Sequence, residues 1–419
     1  MPRIRYHFPI LVVFLAAPLS AEDPPAWTRD QWVERALAGN PDLLVARMEI
    51  EKAEARHRGT GLLPNPEIGA EIKKDRPFPS SSRQTAVTLT FSQAFPVTDR
   101  LRLARRVSAV EIDAAKAELA EQQRHLIEEV ESTIVEVLAL AERWDLQSRQ
   151  MALLSEWAAF AEEQYRSGEL PRTDSLEARL EVGVLKQEQT AMAIQRKEWL
   201  ARLRFLAGLA PDAVMGVTGD LDLDPVDAVL ADVVSNCGDV EASILALLAA
   251  EGEVALARAA KWEDLKVGVS IENQRMQDDP TGRGNDWFAG LGISIPLPLW
   301  NDNRHEVAEK EAASRQAALR KQGVLRRIES EWVAAAEQAA AYRALLAGEL
   351  AATRELAAEN LDARERAYQA GQTSFSRVLR AREKWLGLEE GMLRVRRKMA
   401  LTLVKMRTMA ASHLSHETP

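Results

Sequence analysis

One cysteine in 419 residues, Cys237, excludes an internal disulfide framework. It also leaves no thiol at the start of a mature chain to be acylated. The two roles open to it are a small, partly buried residue or an intermolecular bridge. A transmembrane helix needs roughly 20 consecutive apolar residues. The longest greasy run, Phe8 to Leu19, is too short, so no helical membrane span is expected. No basic block offsets Lys+Arg 54 against Asp+Glu 63, and a net charge of −9 excludes nucleic acid as a partner. H-E-x-x-H, P-loop and nucleophile-elbow patterns are all missing. The chain therefore reads as a non-enzyme with no cofactor and no metal site. It has no phosphate loop through which to hydrolyse ATP, and a partner must supply energy. The six histidines are scattered, and His413 and His416 fall in a polar tail that reads as a solvated end.

Arg3 and Arg5 precede the Phe8–Leu19 run, which ends in the small residues Leu19-Ser20-Ala21. This is the pattern of a secretory signal peptide, residues 1–21, cleaved after Ala21.

The rest of the sequence is dominated by helix-forming residues. Proline and glycine are absent from about Thr98 to Tyr165. Within that stretch Leu126, Val130, Thr133, Val137, Leu140, Trp144, Gln147, Met151, Leu154 and Ala158 step alternately by four and three. Such spacing is the seam of a coiled coil. At 1.5 Å per residue it predicts a rod of about 100 Å. Asn301 to Tyr368 predicts a second rod, interrupted only at Gly323 and Gly348. Shorter helices are expected over about Arg29 to Gly61 and Thr173 to Leu206, which together nearly match the first rod. Trp144, Trp157, Trp199, Trp332 and Trp385 lie in helical stretches and read as packing residues.

Four short segments alternate instead with period two, the mark of a strand with one greasy face. They are Glu67 to Ile72, Arg83 to Phe95, Lys266 to Ile271 and Trp287 to Ile295. Polar loops of 11 residues, Lys73 to Arg83, and 14 residues, Asn273 to Asp286, join each pair. Hairpins with long polar loops fit an outer-membrane barrel, with Val87, Leu89, Phe91, Trp287, Leu291 and Ile293 facing lipid. Trp287 suits a lipid–water interface, and Trp300 the opposite rim or a packing role at the junction. Four strands cannot close a barrel, so several chains must share one.

The features recur at an offset of 203. YRSGELPRTDSLEAR, Tyr165 to Arg179, is echoed by YQAGQTSFSRVLRAR, Tyr368 to Arg382, with Tyr165/Tyr368 and Gly168/Gly371 in register. The charges invert: Asp174 and Glu177 of the first copy face Arg377 and Arg380 of the second. The chain accordingly divides into two repeats, residues 22–210 and 237–410, around a linker, 211–236, with a tail at 411–419.

ALAGNPDLLVARMEIEKAEARHR followed by LLPNPEIGAEI, the Phe95-Pro96 and Ile295-Pro296 turns, and the Y-x-x-G turns at Tyr165 and Tyr368 together resemble the TolC-like outer-membrane efflux proteins. PLPLWNDNR, Pro296 to Arg304, is most similar to the heavy-metal-efflux branch typified by CzcC and CusC. The resemblance covers nearly the whole mature chain. It implies a mainly α fold with a small β part: coiled-coil hairpins forming an α-barrel, and four strands per chain in a twelve-stranded barrel shared by a homotrimer. It further implies a passive exit duct in the cell outer membrane with a large periplasmic part. The duct docks with a periplasmic adaptor and an inner-membrane RND-type pump, and heavy-metal cations are the suggested cargo. Some relatives are lipidated at an N-terminal cysteine, which is not carried over here.

In that family the turns holding Tyr165, Gly168, Tyr368 and Gly371 close the periplasmic end of the tunnel. The family's acidic aperture residues do not transfer to Arg377 and Arg380. The expectation is instead that Asp174 and Glu177 pair with Arg377 or Arg380 across adjacent hairpins and hold the closed state. The competing function class is a structural periplasmic coiled-coil or adaptor protein without a membrane barrel.

Overall fold

The structure is a computed structural model and describes residues 25–74, 83–169, 171–278, 282–370 and 372–410. The signal peptide, the two hairpin loop tips, Gly371 and the C-terminal tail fall outside the described residues.

A short strand β1 (Ala26–Trp27) leads into helix α1 (Arg29–Gly39). Thr28 and Gln31 start α1 as a capping box: the Thr28 side chain accepts from Gln31 N–H, and the Gln31 side chain accepts from Thr28 N–H. Asn40 then breaks what the sequence suggested was one helix. Its Oδ1 accepts from the amides of Asp42, at 2.9 Å, and Leu43, at 3.2 Å, capping α2 (Pro41–Gly59) with Pro41 in the first turn. Its Nδ2 donates to the Leu206 carbonyl at 3.0 Å.

Strands β2 (Glu67–Lys74) and β3 (Arg83–Phe95) follow. Next come the 67-residue helix α3 (Arg100–Arg166) and α4 (Arg172–Leu206). A two-residue strand, β4 (Gly216–Val217), pairs in parallel with β1. The second half matches the first element by element: α5 (Leu230–Asn236), α6 (Gly238–Ala259), β5 (Leu265–Asp278), β6 (Gly282–Ser294), a second rod and α9 (Phe375–Ala410). Cys237, buried, stands between α5 and α6 where Asn40 stands between α1 and α2.

The second rod runs without a gap through α7 (Arg304–Leu345), a π-helical turn (Leu346–Leu350) and α8 (Ala351–Gln369). Gly323 passes unnoticed inside α7, whereas Gly348 sits in the π turn, where one extra residue is accommodated.

Helices α2 and α4 both pack along α3. They meet end to end where Asn40 bonds Leu206, so two short helices do line one long one. Of the ten seam residues, eight are buried; Met151 is half-buried and Trp144 is 39% exposed. Trp144 therefore does not pack inside this chain as the spacing suggested. Gly208, at φ +60, lets the chain turn here: a Cβ on it would lie 2.0 Å from the Gly39 carbonyl oxygen.

No single thick core forms among the described residues. One buried cluster joins α1, α2, the middle of α3 and the ends of α4 and α9, around Trp32, Ile134 and Leu203. A second joins α5, α6, α7 and α9 around Trp332 and Cys237. A third sits at the turn end, around Leu154, Ala161, Ala178 and Leu379.

Candidate functional site

The four long strands form one antiparallel sheet in the order β2-β3-β5-β6. Directly paired residues point to the same side of such a sheet. The register sets Ile72, Val87, Asn273 and Trp287 in one row, then Ala70, Leu89, Ile271 and Ala289, then Ile68, Phe91, Val269 and Leu291. The other side carries Glu71, Thr88, Glu272 and Phe288, then Gly69, Thr90, Ser270 and Gly290, then Glu67, Ser92, Gly268 and Gly292. Phe288 is the exception in these otherwise polar or small rows.

Val87, Leu89, Phe91, Trp287, Leu291 and Ile293 thus share one side of the sheet. Each is exposed, from 38% at Val87 to 72% at Leu291. Among the described residues no helix covers this face, and both edges, β2 and β6, are unpaired in the single chain. β5 and β6 reach further than their alternation showed, to Asp278 and back from Gly282, because their outer ends hold no alternating apolar set.

At the far end of the rods the two turns are built alike. Gly168, at φ +84, lets the chain leave α3, and the Glu169 amide reaches back to the Gln164 carbonyl at 2.8 Å. The Gln372 amide bonds the Ala367 carbonyl at 2.8 Å in the same way after α8. This backward bond satisfies carbonyls that a helix end leaves bare.

The tyrosines are not equivalent. Tyr165 is exposed, whereas Tyr368 stacks on Trp157 with ring centroids 5.9 Å apart. The Arg382 guanidinium lies over the same indole at 5.0 Å and pairs with Glu365 at 3.5 Å. Arg382 is 8% exposed, and its Nε and Nη1 find no hydrogen-bond partner among the described residues. Burial holds this guanidinium below its ordinary pKa, against the pull of Glu365. Burial and then the charge of Asp174 push the Tyr368 hydroxyl up.

Within one chain, no described ion pair joins Asp174 or Glu177 to Arg377 or Arg380. Glu177 accepts from the Ser376 hydroxyl at 3.0 Å, tying the first turn to the second, and Ser175 donates to Glu162 at 2.6 Å. Arg377 and Arg380 are exposed. On α4, Glu181 is held above the usual carboxylate range by burial and by Glu383, Glu177 and Glu188.

Midway along α3 a polar layer interrupts the seam. Gln147, fully buried, donates to Glu188 of α4 at 2.5 Å and Glu390 of α9 at 2.9 Å, with Arg143 also on Glu390 at 3.0 Å. Replacing Gln147 with Leu removes the amide that serves both carboxylates. Loss of a buried partner leaves about 1–3 kcal/mol of unmet desolvation, more for a charge. The expected outcome is a lower thermal midpoint of helix melting by circular dichroism, rising again in Gln147→Leu/Glu390→Gln.

An outer membrane efflux protein family model matches residues 32–209 and again 229–412. The chain belongs to the outer membrane efflux protein family. Its fold is that of solved outer membrane channels. CusC superposes with a TM-score of 0.75 at 16% identity, over 93% of this chain and 95% of that one. The Campylobacter jejuni outer membrane channel CmeC gives 0.76 at 16%, over 93% and 87%. VceC, an outer membrane protein of Vibrio cholerae, gives 0.72 at 17%, over 91% and 96%. No curated relative matches the chain in sequence.

In this outer membrane efflux protein, sequence reasoning found the apolar sheet face and the two turns but missed the Trp157–Tyr368–Arg382 stack. The match of Arg179 with Arg382 between the repeats was the available signal. Burial of only one of that pair could not be read from it.

Proposed function

We propose that three copies of this chain share one twelve-stranded barrel in the outer membrane, forming the passive exit duct of a tripartite efflux system. A periplasmic adaptor and an inner-membrane pump would complete the path. The observation that carries this reading is the sheet: one face apolar and uncovered, the other polar, both edges open. Open edges are not tolerated in lipid, and four strands are too few to close. Three sheets pairing β6 of one copy to β2 of the next remove every edge and turn the polar rows inward. A soluble coiled-coil or adaptor protein gives no use to such a sheet.

The rods would extend the duct into the periplasm, with the turns at its far end as the gate. Within each chain the Tyr368–Trp157–Arg382 stack and the Glu177–Ser376 bond hold the two turns together. Asp174 and Glu177, with the exposed Arg377 and Arg380, would complete the closure between neighbouring copies. Heavy-metal cations are the proposed cargo, supported by the PLPLWNDNR resemblance and by the acidic residues around Glu181. Sensitivity of a deletion strain to metal salts but not to organic drugs tests that class.

The duct itself is tested by conductance in planar bilayers, alongside an oligomer whose gel mobility changes on heating. A protein found wholly in the soluble periplasm would overturn the reading. The double reversal Arg377→Glu/Arg380→Glu is expected to raise conductance, since exposed pairs worth about 0–1 kcal/mol each are repeated around the axis. Unchanged conductance would sink the proposed lock between copies and leave the duct standing.

A further inference from the structure

The sheet register fixes where a membrane can begin and end, and the apolar strand face is too short for it. The outermost apolar row is Ile72, Val87, Asn273 and Trp287; the next row outward is Lys74, Thr85, Arg275 and Asn285. One lipid boundary therefore lies at Trp287. On β3 the apolar face ends at Phe95, eight residues below Val87. Eight steps of about 3.3 Å make ~26 Å along the strand. At a tilt of ~40° that is about 20 Å of depth, short of the ~25 Å apolar band such barrels present.

The missing depth lies in the segments that join strands to helices. Each exposes apolar side chains: Leu62 and Leu63 before β2, Val97 after β3, Trp262 before β5, and Ile295, Leu297, Leu299 and Trp300 after β6. Trp300 is the extreme, 95% exposed. Hydrogen bonds fasten these segments in place. Gln93 donates to the Pro64 carbonyl at 2.8 Å, Thr98 to the Ala259 carbonyl at 3.0 Å, and Asn303 to the Ala257 carbonyl at 2.8 Å. Arg100 pairs with Asp264. Immediately past Trp300 the chain turns polar, through Asn301, Asp302, Asn303 and Arg304.

We infer that the periplasmic-side lipid boundary lies on these junction segments and not on the strand ends, with Trp300 anchored among the lipid headgroups and upper acyl chains. The inference rests on the barrel reading above. Tryptophan prefers that interface because its ring is apolar and its N–H can stay wet. Trp287 and Trp300 then mark opposite boundaries of one band.

The test places an environment-sensitive fluorophore at Trp300→Cys, in a Cys237→Ala background of the full chain. The protein is reconstituted in phosphatidylethanolamine/phosphatidylglycerol vesicles carrying a bromine at a shallow or a deep acyl position. Leu291→Cys serves as the mid-band reference. The expected result is loss of Trp300-site fluorescence mainly with shallow bromine, and loss at Leu291 mainly with deep bromine. Quenching at Leu291 but only by aqueous iodide at position 300 would overturn the inference and leave the barrel intact. So would shielding of position 300 from both quenchers, which would mean that a neighbouring copy covers it. Quenching by lipid at neither position would overturn the barrel reading itself.

Discussion

Arginine in place of Leu291 is expected to abolish the heat-sensitive oligomer. Leu291 sits in the second row below Trp287, near the middle of the apolar band, and 72% of it is exposed in the single chain. A charged side chain on the lipid face at mid-depth costs about 2–4 kcal/mol, and the three copies of the proposed barrel would raise this to roughly 6–12 kcal/mol. That is comparable with the whole stability of an ordinary domain. Lysine in place of Thr90 is the matched control. Thr90 stands in the neighbouring register on the opposite face, beside Gly69 and Ser270, where a charge would meet water. Gel mobility of unheated samples reads both variants. Equal assembly of Leu291→Arg and Thr90→Lys would show that the two faces are not lipid and lumen.

The second large effect is expected at Trp157. Alanine there removes the stack on Tyr368 and the indole under Arg382 together. An aromatic pair contributes about 0.5–1.5 kcal/mol beyond its buried area, and a desolvated cation–π contact about 2. Arg382 would stay buried with Glu365 as its remaining described partner. The turn end of the rods loosens while the sheet, some 100 Å away along α3, does not. Trp157→Ala is therefore expected to assemble normally and to raise single-channel conductance, with Trp157→Phe intermediate. Wild-type conductance in both variants would remove the stack from the closure.

These two sites differ in how far the sequence announced them. The sheet was legible because period-two alternation puts chemistry on faces: Val87, Leu89 and Phe91 could stand nowhere but together. Its outer ends were not, since Asn273 to Asp278 hold no alternating apolar set and carry no phase. The turns were legible through Gly168, which the backbone requires at φ +84. The stack was hidden because Trp157 meets residues more than 200 positions away, and no local pattern encodes such a meeting. Asn40 was missed for a different reason. An asparagine between two helical stretches looks like an interior residue until its amide is seen to serve Leu206, 166 residues on. Of the two glycines that mark interruptions in the second rod, only Gly348 coincides with a π turn, and glycine alone does not tell an interruption from an unbroken helix such as that at Gly323.

The two open edges of the sheet, β2 and β6, have a genetic consequence. In the proposed barrel each copy lends its edges to two neighbours, so a chain with a damaged edge would not fail alone. If mutant and wild-type alleles are expressed equally and mix at random in threes, roughly one assembly in eight contains only wild-type chains. An edge-strand allele such as one bearing proline in β2 should therefore be dominant over the normal gene. An allele that prevents the chain from folding at all should be recessive.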